Sequence, residues 1–149
     1  MDLDTLLNKN QKEAATYLDS HLRIIAGAGS GKTRVVTYRI AHLIQDVGID
    51  PRSILAITFT NKAANEMKER VNEVVGIHGS GTLICTIHSL CVRFLRQHIN
   101  VLNYPSNFTI MDEEDQKALI KKLYTQLEID AKVISIKSMI NTISSYKTV

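Results

Sequence analysis

The stretch AGAGSGKT, residues 26–33, decides the fold predicted for this 149-residue chain. It follows the apolar run LRIIA (22–26) and precedes a helical pattern that begins at Lys32. Glycines 27, 29 and 31 permit a tight turn that presents backbone N–H groups to phosphate oxygens. The start of the following helix adds a partial positive charge. A strand, a glycine-rich loop and a helix in this order predict a nucleotide-binding phosphate loop.

The side chains that end the loop complete the predicted site. Lys32 would reach the β- and γ-phosphates, and the Thr33 hydroxyl would ligate Mg²⁺. The strict phosphate-loop pattern begins with glycine, whereas this chain has Ala26. The alternative is a glycine-rich turn that contains GKT by chance. Within the loop, further nucleotide contacts are predicted at Ala26, Gly27, Ala28, Gly29, Ser30 and Gly31.

Apolar runs alternate with helical patterns on both sides of the loop. Strands are predicted at 22–26, 54–59 and 82–87, and helices at 8–19, 32–46, 61–75 and 88–98. Such alternation predicts an α/β fold, with a parallel sheet and helices packed on it.

A change of pattern near residue 103 predicts a second part of the chain. NYPSN (103–107) is typical of a linker. A short strand at 108–111 and helices at 112–127 and 130–145 are predicted to follow it. We therefore expect two parts, residues 1–107 and 108–149.

Composition excludes several classes of protein. Apolar residues make up 44% and charged residues 22%, which is typical of a globular domain rather than a disordered or collagen-like chain. Two cysteines do not indicate a disulfide framework. No apolar run approaches the roughly 18–20 residues of a membrane span, and the N-terminus lacks a signal-peptide pattern. We expect a cytoplasmic protein with no membrane partner, and a net charge of +3 permits a nucleic-acid partner.

Several stretches together resemble the UvrD/PcrA/Rep group of superfamily 1A DNA helicases. In chain order they are LNKNQ (7–11), GAGSGKTRV (27–35), LAITFTNKAANEMKERV (55–71), CTIHSLCVRFLR (85–96) and FTIMDEEDQ (108–116). They are similar to the family's Q motif, phosphate loop, motifs Ia and Ib, and the beginning of its helical domain 1B. Ile87 and Ser89 depart from the usual form of motif Ib. The resemblance covers nearly the whole chain.

The resemblance implies a fold and an activity. The fold would be a RecA-like P-loop NTPase, with part of motor domain 1A in residues 1–107 and the beginning of domain 1B in 108–149. The activity would be that of an ATP-dependent 3′→5′ DNA helicase that translocates on single-stranded DNA in repair or replication. ATP, Mg²⁺, single-stranded DNA and the rest of the helicase (domains 1B, 2A and 2B) are the expected cofactors and partners. The chain has no helix stop signal at its end and no motif II, so we expect it to continue and to be inactive alone.

The resemblance also assigns roles to side chains. Gln11 would read the adenine edge, and Arg34 and Arg70 would lie near the phosphates and base. Single-stranded DNA would contact Thr58, Phe59, Thr60, Asn61, Lys62 and His88. Taken by residue type alone, Gln11 and the two arginines are ordinary helix residues, and Phe59 is an equally reasonable core residue at a strand end.

Two further patterns have simpler explanations. Cys85, His88 and Cys91 have a spacing seen in zinc sites, but a structural zinc needs four ligands and no partner pair lies nearby. Asp112 follows a short apolar run, as in a Walker B strand. We interpret it instead as the N-cap of a helix with an acidic first turn.

Two other functions remain as alternatives to a helicase. One is a non-catalytic module that binds nucleotide or single-stranded DNA. The other is a small P-loop kinase, in which TFTNKAANEM (58–67) would have no obvious role.

Overall fold

A computed structural model describes residues 1–147, which form two compact units. The first unit is Met1–His98, and the second begins at Ile99. The expected boundary was at 107/108, after the NYPSN segment. The observed division comes earlier because the 3₁₀ helix Ile99–Leu102 groups with the second unit.

The first unit contains five α-helices and two strands among its described residues. The helices are α1 (Leu3–Leu6), α2 (Lys9–Thr16), α3 (Lys32–Gln45), α4 (Asn61–Val75) and α5 (Ile87–His98). The strands are β1 (Leu55–Thr58) and β2 (Leu83–Thr86), and short 3₁₀ helices span Pro51–Ser53 and Gly76–Gly79. The predicted helices and these two strands are therefore present, with ends that differ by a few residues.

The two strands pair in parallel. Leu55 lies opposite Leu83, and Thr58 lies opposite Thr86. Helix α4 connects them, as a parallel crossover requires. The α/β class predicted from the sequence agrees with this small parallel sheet and its helices.

Two predicted strands are not formed. Residues 22–26 and 108–111 lack regular secondary structure. Within residues 1–147 the sheet consists of β1 and β2 alone, so neither segment has the hydrogen-bonded neighbour that makes an extended segment a strand. Ile25 is 85% exposed. The two strand predictions were wrong because an apolar run indicates a tendency to be buried and says nothing about a pairing partner.

The sheet is also less buried than its apolar sequence predicts. Ala56 and Ile84 are buried, whereas Leu55 and Ile57 are exposed on the alternate positions. The strand predicted at 54–59 is therefore buried on one face of the sheet only.

The main core lies between the buried face of the sheet and helices α3 and α4. In α4 the apolar residues recur every three or four positions, which places them on one face of the helix. Thr60 caps this helix by accepting a hydrogen bond from the Ala63 N–H at 3.1 Å. The buried members of the cluster are Ile40, Ala41, Ile54, Ala56, Ala64, Met67, Val71, Val75 and Ile84.

A second, smaller core joins α1 and α2 to α3. Its buried members are Leu3, Leu7, Ala15 and Val35. The Arg39 guanidinium on α3 donates to the carbonyl of Tyr17 at 2.6 Å and to that of Ala14 at 3.1 Å. A cation at the C-terminal end of a helix is favourable, so Arg39 fixes the end of α2 on α3.

The second unit contains two α-helices among its described residues, α6 (Glu113–Gln126) and α7 (Ile136–Lys147). Asp112 caps α6 by accepting from the N–H groups of Glu114 and Asp115, each at 2.8 Å. This confirms the interpretation of Asp112 as an N-cap. Helix α7 begins six residues later than the predicted 130. None of the helices in residues 1–147 has the length and apolar character needed to cross a bilayer.

Asp46, the residue just after α3, forms hydrogen bonds with the N-terminal amino group and with a histidine of the same helix. The Met1 amino group donates to Oδ1 at 3.0 Å, and the Nδ1 atom of His42 lies 2.8 Å from Oδ2. The hydrogen bond with His42, followed by that from the N-terminus, lowers the pKa of the Asp46 carboxyl.

We predict that Asp46→Asn removes this contribution to stability. A lowered carboxyl pKa in the folded state stabilises the fold above the usual aspartate value of about 3.9, and the benefit disappears as the pH falls below it. Because the group is partly exposed, the loss at pH 7 should be at most about 1 kcal/mol. Urea unfolding at pH 7 and pH 3 measures it, with Asp19→Asn, an exposed aspartate, as the control. Equal stability of wild type and Asp46→Asn at pH 7 would contradict the prediction.

Candidate nucleotide site and sheet edge

The phosphate loop has the backbone conformation that its glycines permit. Gly29 has φ +75° and Gly31 has φ +83°, both in the left-handed region that side chains rarely adopt. The Ser30 hydroxyl donates to the Gly27 carbonyl at 2.8 Å, and the Ser30 N–H donates to the same oxygen at 3.4 Å. A tight turn thus leads directly into α3.

The N-terminus of α3 is left open. Its N-cap is Gly31, which provides no side-chain hydrogen bond to the first turn. By contrast, α2, α4 and α6 are each capped by a side chain, from Asn8, Thr60 and Asp112. The first N–H groups of α3 therefore have the arrangement that binds an anion at a helix N-terminus.

Lys32 bends back over the loop. Its ammonium donates to the Gly27 carbonyl at 2.6 Å and lies 3.3 Å from the Ala26 carbonyl. Thr33 follows it in the first turn of α3, and both side chains are exposed. The cation of the loop is thus held beside the turn by hydrogen bonds that phosphate oxygens can replace.

A cleft of about 470 Å³ opens beside the loop. Its walls combine apolar side chains with a few polar groups, as small-molecule sites usually do. It is lined by Asn8, Asn10, Gln11, Ala14, Ile24, Ile25, Ala26, Ser30, Lys32, Val35 and Val36. The structure therefore brings the predicted Gln11, Ala26, Ser30 and Lys32 into one cavity.

Part of this cleft was not predicted from the sequence. Ile24 and Ile25 were expected only as strand residues, and no role in the site was predicted for Asn8. The spacing Asn-x-x-Gln at 8–11 is that of a capping box, and could have placed Asn8 beside Gln11.

Arg34 and Arg70 lie together, outside this cleft. They line a separate cavity of about 220 Å³ that also includes Glu73. The Arg34 guanidinium donates to the Leu6 carbonyl at 2.8 Å and lies 5.7 Å from the centre of the Tyr38 ring. Their predicted contact with nucleotide stays a prediction, and in this arrangement Arg34 fastens α1 to α3.

The carboxyl ends of β1 and β2 meet at one edge of the sheet. Thr58 ends β1 opposite Thr86 of β2, so Phe59 and His88 follow at the same edge. Phe59 is 98% exposed, so it belongs to neither of the two cores formed by the described residues of the first unit. Asn61, Lys62 and His88 are exposed in the first turns of the two helices that leave this edge.

Hydrogen bonds hold the turn that presents Phe59. The Thr58 hydroxyl donates to the Thr60 carbonyl at 3.0 Å, and the Thr60 hydroxyl caps α4. The exposed ring thus projects from a fixed turn. Every residue predicted to contact DNA lies at this edge.

The zinc-like spacing does not form a metal site in the described residues. Cys85 is half-buried in β2, and Cys91 is exposed on α5. Within residues 1–147 no three histidine, cysteine or acidic side chains lie close enough to hold a metal ion together.

Comparison with known proteins gives a consistent result. Residues 7–149 match the family described as the UvrD/REP helicase N-terminal domain. The chain is 48% identical over 141 residues to the ATP-dependent DNA helicase PcrA of Bacillus subtilis, and 46% identical over 141 residues to those of Staphylococcus aureus and Staphylococcus epidermidis. Each alignment covers 95% of this chain and 19% of the relative.

Proposed function

We propose that this chain, which belongs to the family of UvrD/REP helicase N-terminal domains, binds the phosphates of ATP at residues 26–33. The observation that carries this proposal is the open N-terminus of α3, preceded by glycines at positive φ and overlain by Lys32. This combination supplies N–H donors, a helix dipole and a cation at one point. The fold around it would be the RecA-like P-loop fold.

The cleft beside the loop suits the rest of the nucleotide. Its apolar walls, among them Ile24 and Val36, would cover the base, while the Gln11 amide would contact the adenine edge. Lys32 would exchange the Gly27 and Ala26 carbonyls for oxygens of the β- and γ-phosphates. Mg²⁺ would be held by the phosphates and the exposed Thr33 hydroxyl.

Hydrolysis requires more than these groups. A phosphoryl-transfer site also needs carboxylates for the metal ion and the water, and a cation for the transition state. Since the chain spans 19% of the length of its PcrA relatives, we propose that other domains of a longer protein supply them. The whole protein would be an ATP-dependent 3′→5′ DNA helicase, at work in the cytoplasm.

The sheet edge supports the DNA-binding part of the proposal. An exposed aromatic ring can stack on any base, and hydroxyl, amide and ammonium groups beside it can hold phosphates. Phe59, Asn61 and Lys62 offer this set at the end of β1, with His88 at the end of β2. An aromatic ring that is 98% exposed favours binding of single-stranded DNA here over a kinase, for which the edge would have no use.

Lys32→Ala is predicted to remove most of the affinity for ATP while leaving the fold unchanged. The side chain is exposed and contributes a charge to the loop rather than to the core. Titration of the chain with ATP, monitored together with circular dichroism, measures both effects. Lys68→Ala, an exposed lysine on α4, is the charge-matched control. A folded Lys32→Ala variant that binds ATP as the wild type does would refute the proposed site.

Phe59→Ala is predicted to weaken binding to single-stranded DNA without affecting stability or ATP binding. Loss of base stacking costs about 1–3 kcal/mol, whereas truncating an exposed side chain changes stability by less than about 0.5 kcal/mol. Fluorescence anisotropy with labelled oligonucleotides at low salt measures the first quantity, and thermal unfolding the second. Ile77→Ala, 84% exposed after α4, serves as control. DNA affinity that is the same in Phe59→Ala and Ile77→Ala would exclude the stacking role.

A further inference from the structure

Gln11 connects helix α2 to the phosphate loop. Its Nε2 atom donates to the Ser30 carbonyl at 2.9 Å, across nineteen positions of the sequence. Its Oε1 atom accepts from the Asn8 N–H at 3.1 Å, and its own N–H donates to Asn8 Oδ1 at 3.0 Å. The same carboxamide thus completes the capping box of α2 and holds the loop.

The position of Gln11 is fixed from several directions. The capping box orients its side chain, and α2 is attached to α3 through the packing of Ala15 with Val35 and through Arg39. The loop comes so close that a Cβ atom at Gly31 would lie 2.9 Å from Nε2. Glycine at 31 is therefore favoured by its φ of +83°, and a side chain at this position would displace the end of the Gln11 side chain.

Holding the Ser30 carbonyl has a consequence for the next N–H group. In a trans peptide unit, the carbonyl of one residue and the N–H of the following residue point in opposite directions. A Ser30 carbonyl that faces Gln11 therefore turns the Gly31 N–H to the other side of the loop, away from α2. Backbone N–H groups are the donors by which such loops bind phosphate.

The hydrogen bond to Ser30 leaves part of the amide unused. A carboxamide has two N–H donors and two acceptor lone pairs, and these contacts occupy one of each. The remaining donor and lone pair permit a simultaneous contact with a base. One side chain can then act on the base and on the phosphate donors together.

We propose that Gln11 is a positioning residue for the phosphate loop, which it sets for phosphate binding through the Ser30 carbonyl whether or not a base is bound. This inference rests on the proposed nucleotide site. A glutamine that only reads adenine would affect ATP alone. A glutamine that sets the loop also affects an anion without a base.

Binding of ATP and of inorganic tripolyphosphate separates the two roles. The variant is Gln11→Met, which keeps the length of the side chain and removes the amide. Its control is Glu13→Met, an exposed residue of the same helix. We expect the dissociation constant of tripolyphosphate to rise about fivefold in Gln11→Met, as loss of one hydrogen bond predicts, and that of ATP to rise at least as much, because the contact with adenine is lost as well. Glu13→Met should not raise the dissociation constant of either ligand by this amount.

Gln11→Asn provides a second test if Gln11→Met disturbs the fold. It retains a carboxamide that is one methylene too short to bridge Asn8 and Ser30. This variant should again bind both ATP and tripolyphosphate more weakly. In the ligand-free chain it should shift the amide resonances of Ser30 and Gly31 more than those of α4.

Three outcomes would overturn the inference. Weaker ATP binding with unchanged tripolyphosphate binding would limit Gln11 to the base. Unchanged binding of both ligands would remove any role for it. A wild-type chain that binds neither ligand would refute the proposed function, and the inference with it.

Discussion

Helix α3 contributes residues to both hydrophobic cores of the first unit. The position of the candidate phosphate contacts depends on this double attachment of the helix. Ile40 and Ala41 lie in the core formed with α4 and the sheet, while Val35 lies in the small core formed with α1 and α2. The N-terminus of the helix, where the phosphate loop ends, is therefore fixed relative to both. An anion site on a helix N-terminus needs this rigidity because its donors are backbone groups that cannot adjust independently.

Hydrogen bonds to backbone carbonyls also attach α1 and α2 to α3, and α2 to the loop. Arg34 and Arg39 on α3 bind carbonyl oxygens of α1 and of the end of α2, and Gln11 binds a carbonyl of the loop. Two of these three contacts use guanidinium groups at helix C-terminal ends, where a positive charge is favourable. The third reaches the loop itself. Helix α2 and its N-cap thus form one side of the candidate nucleotide cleft and contact the loop that borders it.

Much of this arrangement follows from local sequence. The loop, α3, α4 and the positions of the two strands are predicted because glycine positions, helical periodicity and short apolar runs each report on local structure. The absence of a strand at 22–26 was not predictable in this way, since pairing depends on residues distant in sequence. The exposure of Leu55 and Ile57 likewise depends on what covers the second face of the sheet. The hydrogen bonds from Gln11 to Ser30 and from Arg34 to Leu6 were not predictable either, because each joins residues that are distant in sequence.

The most direct test of the account is to map the amide resonances of the chain as ATP and Mg²⁺ are added. The largest shifts should occur at residues 28–33, with smaller shifts at the start of α2. The helical second unit has its own groove of about 650 Å³, lined in part by Lys117, Lys121 and Lys137, which could attract a polyanion through charge alone. Shifts concentrated in that groove, with the resonances of residues 28–33 unchanged, would contradict the assignment of the phosphate loop.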